Sequence, residues 1–275
     1  MNTIKTFICA TAALLPSLTF AQLADSTKRL APVEGAMNFR DIGGYKTMDG
    51  KEVVWGKIFR SDAINKLTEK DVSWMDKQGL HTVIDLRGEA EAKAAPDRLA
   101  NGTDYTLSPA GSDKLPTAND MADMFKKKDY LLNFYADGID YYGKKYRPVF
   151  VKLLALEADG AMMYHCTGGR DRTGMQTALI LHVLGVPYET IEADYLASNI
   201  YLARRPNGGF DKQKIAKALG MTEKEIDEKL ALTPQTLASF FNAIKKKYGT
   251  VENFLQEEMS IGPKEIAQLK AKYTK

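Results

Sequence analysis

The chain is short of cysteine, of histidine and of net charge. Its 275 residues include 2 cysteines and 3 histidines, and 38 Lys and Arg face 35 Asp and Glu, a formal net charge of +3. Two cysteines cannot build the disulfide framework on which small exported domains depend. The small charge excess gives no reason to expect a nucleic-acid partner, and the lysines of "FKKKD" and "IKKKYG" read as solvated helix faces. His81 and His182 have no acidic or cysteine neighbour at ligand spacing, so no metal is expected, and nothing calls for another cofactor. Internal repeats and low-complexity tracts are absent as well. No segment after residue 21 approaches the roughly 20 consecutive apolar residues that a membrane span needs.

The one apolar run near that length, Phe7 to Phe20, is interrupted by Pro16; Lys5 precedes it, and the small residues Thr19 and Ala21 follow just before Gln22. This is the layout of a secretory signal peptide. Residues 1–21 are therefore expected to be removed on export, to the periplasm or beyond it, and Cys9 to leave with them. The remainder, in a sequence that is 44% hydrophobic and 27% charged, can bury an ordinary core. It keeps one cysteine, Cys166, in a compartment where thiols usually pair.

Pattern along the chain alternates strands and helices, which favours an α/β domain with a partly parallel sheet. Asp49-Gly50 marks a hairpin, Thr68 caps a helix that Gly79 ends, and "HTVIDLR", "YTLSP" and "GAMMYH" read as strands. From Ala110 to Lys128 the chain reads as a loop or lid, and Tyr130 to Glu157 as helix interrupted at Pro148. After Phe210 comes a Lys- and Glu-rich helical tail with breaks at Gly220, Pro234, Gly249 and Pro263.

Cys166 sits at the turn from a buried strand into a helix, in "HCTGGRDRTG". Unpaired N–H groups and the dipole at a helix N-terminus favour negative charge there, and with Arg170 and Arg172 nearby they favour a thiolate. The span Thr167, Gly168, Gly169, Arg170, Asp171 is long enough to curl around one tetrahedral anion, and Arg172 offers a planar fork that follows charge as phosphorus becomes trigonal bipyramidal. Thr173 is placed to hydrogen-bond the departing thiolate, His165 to orient the loop, and Arg170 to point toward the pocket rim.

These residues resemble the phosphate loop of the cysteine-dependent protein tyrosine phosphatase superfamily. "NFRDIGGY" at Asn38 to Tyr45, "GKIFRSD" at Gly56 to Asp62, "VIDLR" at Val83 to Arg87 and "DYLASN" at Asp194 to Asn199 are similar to further segments of one bacterial branch, over roughly Pro32 to Arg205. The resemblance implies a phosphatase fold in one domain at 22–275, with a core at about 32–205 and a helical extension at about 206–275. It also implies a phosphorylated protein, peptide or phosphoinositide as substrate, and Cys166 as nucleophile. Arg170 replaces the branch's usual lysine, and the Trp-Pro-Asp acid loop of many relatives is missing. In this branch the matching acid is Asp171; Asp85 or a lid aspartate such as Asp113 stay open as alternatives. Arg40, Asp41 and Arg87 read as structural or at the rim. A sulfurtransferase of the rhodanese type and a non-catalytic phosphate-binding module are the competing readings.

Overall fold

The computed structural model describes residues 26–110, 127, 129–203, 216–217 and 219–275. The expected leader and nearly all of the expected lid, Asp113 included, lie outside the described residues. In chain order the elements are α1 Ser26–Arg29, β1 Arg40–Asp41, β2 Ile58–Ser61, α2 Glu69–Lys77, β3 Leu80–Asp85 and α3 Glu89–Ala94. There follow β4 Asp104–Leu107, α4 Tyr130–Asp137, α5 Ile139–Ala155, β5 Ala161–His165, α6 Asp171–Val183 and α7 Tyr188–Ala203. The tail contributes α8 Glu223–Leu230, α9 Pro234–Tyr248, α10 Val251–Met259 and α11 Pro263–Tyr273. Among the described residues no helix is long and apolar enough to cross a membrane.

The five strands form one sheet in the order β1-β2-β5-β3-β4, with β1 antiparallel to β2 and the other pairs parallel. Every residue of β5, the central strand, is buried. Side chains alternate between its faces with the strand period of two. Met162 and Tyr164 join Ile58 and Ile84 in the larger core, while Ala161 and Met163 join Phe59, Leu80 and Val83 in the smaller one. Leu80 and Val83 reach the same face because the register shifts between Leu80 and Thr82. Cys166 leaves the C-terminal end of the best-protected strand, where open α/β sheets place their ligands.

Local signals account for most element ends. Thr68 Oγ1 accepts from Asp71 N at 3.1 Å and Asp71 returns to Thr68 N at 2.9 Å, a capping box that starts α2, and Gly79 ends it at φ +69°. The hairpin closes through a Lys46–Glu52 bridge, with Gly50 at φ +84°. Pro148 does not interrupt its helix; the break falls at Gly138, and Pro148 lies inside α5. Tyr142, Tyr146, Val149, Phe150 and Leu153 make a buried stripe on α5. Burying such side chains is worth about 1.5–3 kcal/mol each, which outweighs the roughly 3 kcal/mol cost of an internal proline. Pro234 and Pro263 occupy first helical turns, where a missing N–H costs nothing, so they begin helices.

The C-terminal helices share the larger core. Leu237, Phe240, Phe254 and Leu269 pack in the same cluster as Met162, Phe150 and Leu179. The chain end also pairs with the hairpin: Glu52 N donates to Lys275 O at 2.8 Å, Lys275 N returns to Glu52 O at 3.0 Å, and Val54 N donates to Tyr273 O at 2.9 Å.

Candidate active site

Cys166 is the free cysteine of the described residues and is only 2% exposed. The loop after it turns at Gly169, whose φ is +58° and whose carbonyl accepts from Asn38 Nδ2 and Arg60 Nη2, both at 2.7 Å. A Cβ on Gly169 would lie 2.5 Å from Asp62 N and Ser61 O, whereas one on Gly168 would meet nothing nearer than 3.8 Å. Glycine is thus required at one position of the pair. Among the described residues, the backbone N–H groups from Thr167 to Arg172 donate to no protein acceptor, and they sit where the dipole of α6 favours an anion.

Beneath the loop lies a buried charge cluster built from the other sequence segments. Arg40 Nε meets Asp194 Oδ1 at 3.0 Å, Arg60 Nη1 meets Asp194 Oδ2 at 2.9 Å, and Ser198 Oγ accepts from both guanidinia at 3.3 Å. Asn38, in the left-handed region at φ +58°, turns its amide onto Gly169 and accepts from Arg40 through Oδ1. Burial opposes the charge of Asp194, yet Arg40 and Arg60 hold its carboxyl well below the usual range. Two guanidinia against one carboxylate leave positive charge under the loop, which favours an anion above it. Arg40 and Asp41 are therefore structural: Asp41 accepts from Gly43 N and Gly56 N at 2.7 and 2.6 Å.

A second cluster lies behind His165. Its Nε2 is 2.9 Å from Asp97 Oδ2 and its Nδ1 is 3.4 Å from Cys166 O, so the ring spans from a carboxylate to the nucleophile's own backbone. Arg87 Nη2 joins Asp85 at 2.7 Å and Asp97 at 2.8 Å. Ligand atoms of Asp85, Asp97 and His165 lie within 4.8 Å of one another, but Arg87 already supplies the cation between the two carboxylates. Burial would raise the Asp85 pKa; His165 and Arg87 outweigh it and hold the carboxyl below its ordinary value. Tyr105 OH donates to it as well, at 3.0 Å. Asp85 is fully buried and its carboxyl is held below its ordinary range, which suits a supporting role.

On the open side, Arg172 is gripped by Glu91: Nη1 to Oε2 at 2.6 Å and Nη2 to Oε1 at 2.9 Å. Glu91 also accepts from Gly88 N at 2.8 Å and from Thr167 Oγ1 at 2.5 Å. Burial works against its charge, but Arg172, Thr167 and Gly88 bring it down to about 2. Burial likewise works against the charge of Arg172, and its neighbours Cys166 and Glu91 more than restore it. Tyr146 OH donates to Arg172 O at 3.0 Å, and the buried Thr173 hydroxyl has no hydrogen-bond partner among the described residues.

Asp171 Oδ1 accepts from Tyr135 OH at 2.9 Å and Oδ2 from Arg170 Nε at 3.1 Å. Arg170, expected at the pocket rim, turns the other way. Its Nη1 donates to Leu230 O at 2.7 Å and only 13% of its side chain is exposed, because the Asp171 carboxylate and a carbonyl of the tail together satisfy it. The structure thus gathers Cys166, Asp171, Arg172 and Thr173 around one loop, with His165 behind it. Sequence reasoning missed Glu91, Asp97, Tyr135 and the inward roles of Asn38 and Arg60. Gly88-x-x-Glu91 was readable as a helix start, but no local signal names Arg172 as the partner.

The tyrosine phosphatase family profile matches residues 31–275, so the match takes in the C-terminal helices. A Cupriavidus necator protein, named by inference as a tyrosine-protein phosphatase, is 27% identical over 244 residues, 86% of this chain and 85% of that one. The tyrosine-protein phosphatase of Nostoc commune is 28% identical over 220 residues, 78% of this chain and 72% of its own. The triple specificity protein phosphatase PtpB of Mycobacterium tuberculosis is 26% identical over 258 residues, 81% and 91% respectively. With nearly its whole described length matched and a cysteine-arginine loop at the end of its central strand, the chain belongs to the tyrosine phosphatase family and is a hydrolase of phosphorylated substrates.

Proposed function

We propose that this is an exported protein tyrosine phosphatase that works through a cysteinyl-phosphate. In the first step Cys166 Sγ attacks phosphorus, the bond to the ester oxygen breaks, and the Asp171 carboxylic acid gives that oxygen its proton. In the second step water attacks phosphorus, its proton passes to the Asp171 carboxylate, the P–S bond breaks, and the departing thiolate takes a hydrogen bond from the free Thr173 hydroxyl. Arg172, its plane set by Glu91, and the loop N–H groups follow the charge of the phosphoryl oxygens. The observation that carries this reading is the convergence of Cys166, Asp171 and Arg172 on a loop whose N–H groups have no protein acceptor.

The substrate we favour is phosphotyrosine. Tyr130 and Tyr142 lie close enough to Asp171 to sense its charge, and Phe134 packs against both, at 6.2 and 5.8 Å between ring centroids. Such an aromatic wall suits a planar aryl ester. Triple specificity is the named property of PtpB; for this chain the turned-in Arg170 removes the residue that would have favoured a second phosphate. Export rests on the layout of residues 1–21, and the matching check is N-terminal sequencing of the protein from a periplasmic or culture fraction, which should begin at Gln22.

The mechanism is tested by rapid acid quench with a radiolabelled phosphotyrosine peptide. Wild-type protein should retain label on Cys166, and Cys166→Ser should bind vanadate but neither turn over nor trap label. Full turnover by Cys166→Ser would refute the mechanism.

A further inference from the structure

Asp171 stands at one end of a line of hydroxyls. Tyr135 OH is 2.9 Å from Asp171 Oδ1, Tyr195 OH is 2.8 Å from Tyr135 OH, and Thr236 Oγ1 is 2.8 Å from Tyr195 OH. The Thr236 hydroxyl lies in turn 2.6 Å from the Thr233 carbonyl. The line therefore runs from α6 through α4 and α7 to the start of α9.

Each hydroxyl has one proton to donate and can also accept. When Asp171 is ionised, the protons can all point toward it: Thr236 to Tyr195, Tyr195 to Tyr135, Tyr135 to the carboxylate. When Asp171 is protonated and waiting, every hydroxyl can rotate the other way: Asp171 to Tyr135, Tyr135 to Tyr195, Tyr195 to Thr236, Thr236 to the Thr233 carbonyl; with an ester oxygen bound, the carboxyl O–H turns from Tyr135 to the open face and is given up there. Both arrangements leave no buried hydroxyl without an acceptor, and an unmet one is costly. The Thr233 carbonyl makes the reversal possible, since it receives the last proton. No proton moves along the line; each O–H turns about its own C–O bond.

The surroundings isolate this change. Asp171 is 24% exposed, so one face remains open to a reacting group while the other meets Tyr135. Tyr130, Tyr142 and Tyr146 face it from α4 and α5, Tyr195 from α7, and Arg170 and Arg172 from either side along its own chain. Burial first, and then the Asp171 charge, pushes the Tyr135 and Tyr195 phenols above their ordinary range, so they stay neutral. Both arginines keep their charge throughout.

We infer that Tyr135, Tyr195 and Thr236 form a reversible hydrogen-bond line that positions Asp171 and satisfies it in both protonation states, which lets one carboxyl act as acid in the first step and base in the second. This rests on the assignment of Asp171 as the acid in the proposed function. The three hydroxyl residues are positioning residues; Tyr135 precedes the catalytic loop in sequence, and Tyr195 and Thr236 follow it.

The test reads the pH profile of kcat/KM on an alkyl phosphate, a substrate whose poor leaving group needs the acid. In Tyr195→Phe, Tyr135 can still donate to an ionised Asp171, but when it accepts the Asp171 proton its own O–H no longer has the Tyr195 oxygen to point to. The protonated form is selectively disfavoured, so the basic limb should move to lower pH by roughly half a unit to one unit. Tyr135→Phe removes the contact itself and should lower kcat/KM on the alkyl phosphate by about tenfold or more, with a smaller loss on p-nitrophenyl phosphate. Should Tyr195→Phe fail to fold, Thr236→Ala interrupts the same line and should move the limb in the same direction. An unmoved limb, or one moved upward, overturns the inference. Asp171→Asn separates the two readings: equal losses on alkyl and aryl phosphates would remove Asp171 as the acid, whereas unequal losses beside an unmoved Tyr195→Phe limb would remove the hydroxyl line alone.

Discussion

Replacing each of the two loop glycines by alanine should give opposite results. At Gly169 the backbone is left-handed, φ +58°, and the new methyl would lie 2.5 Å from the backbone of Ser61 and Asp62. The conformation alone costs a residue with a Cβ about 1–2 kcal/mol, and relieving the overlap adds about 1–3 kcal/mol. The sum, about 2–5 kcal/mol, corresponds to a fall in Tm of roughly 5–15 °C for a chain of this size. Relief also drags the Gly169 carbonyl off Asn38 and Arg60, which hold it at 2.7 Å, so the loop itself is deformed. Gly168→Ala meets only Arg170 Cβ at 3.8 Å and carries no left-handed strain, so its Tm should stay within a few degrees of wild type, about 1 kcal/mol. Thermal melts with and without added vanadate read both quantities: Gly169→Ala should melt early and gain little from the anion, and Gly168→Ala should gain as much as the wild type. Indistinguishable melts for the two variants would refute the assignment of the turn to Gly169.

Glu91→Gln should destabilise the phosphate-free protein near neutral pH by on the order of 3 kcal/mol, the worth of a carboxyl displaced from 4.5 to about 2. Because this pKa is depressed on folding, the contribution is complete above pH 4.5 and fades as pH falls toward 2. The gap between wild-type and variant denaturation midpoints should therefore close over that window, and a gap that ignores pH would show the Glu91–Arg172 pair to be inert. Arg170→Ala should reduce kcat/KM by similar factors on a phosphotyrosine peptide and on an inositol polyphosphate, since its guanidinium faces Asp171 and Leu230. A loss confined to the inositol polyphosphate, by about tenfold or more, would return Arg170 to the rim.

What was readable in the sequence was whatever a contiguous stretch encodes. The strand "GAMMYH", the turn after Cys166 and the N-cap at Thr68 each reveal themselves within a few residues, and the structure has them where expected. Partners chosen across the fold were not readable. Glu91 and Arg172 are joined by the stacking of α3 against the loop, and Tyr135 meets Asp171 because α4 packs beside α9 and α7. Direction was equally hidden: Arg170 carries a charge any reader would aim at phosphate, yet a tail carbonyl and a neighbouring carboxylate compete for it and win. Pro148 misled for a related reason, since local breaking propensity yields to a stripe of buried aromatic and aliphatic side chains.

The pairing of Lys275 with Glu52 bears on how the molecule comes apart. Tail helices and central strand share one apolar cluster, and the chain end closes the hairpin beside β1, so neither region can open while the other remains shut. Residues 32–205 alone are therefore expected to lack a cooperative unfolding transition. The amide hydrogen of Val54, bonded to the carbonyl of the buried Tyr273, should exchange with solvent only through the opening that also frees β5. Unfolding is then expected to run in one step from the hairpin to the last helix, with the catalytic loop lost when the tail undocks.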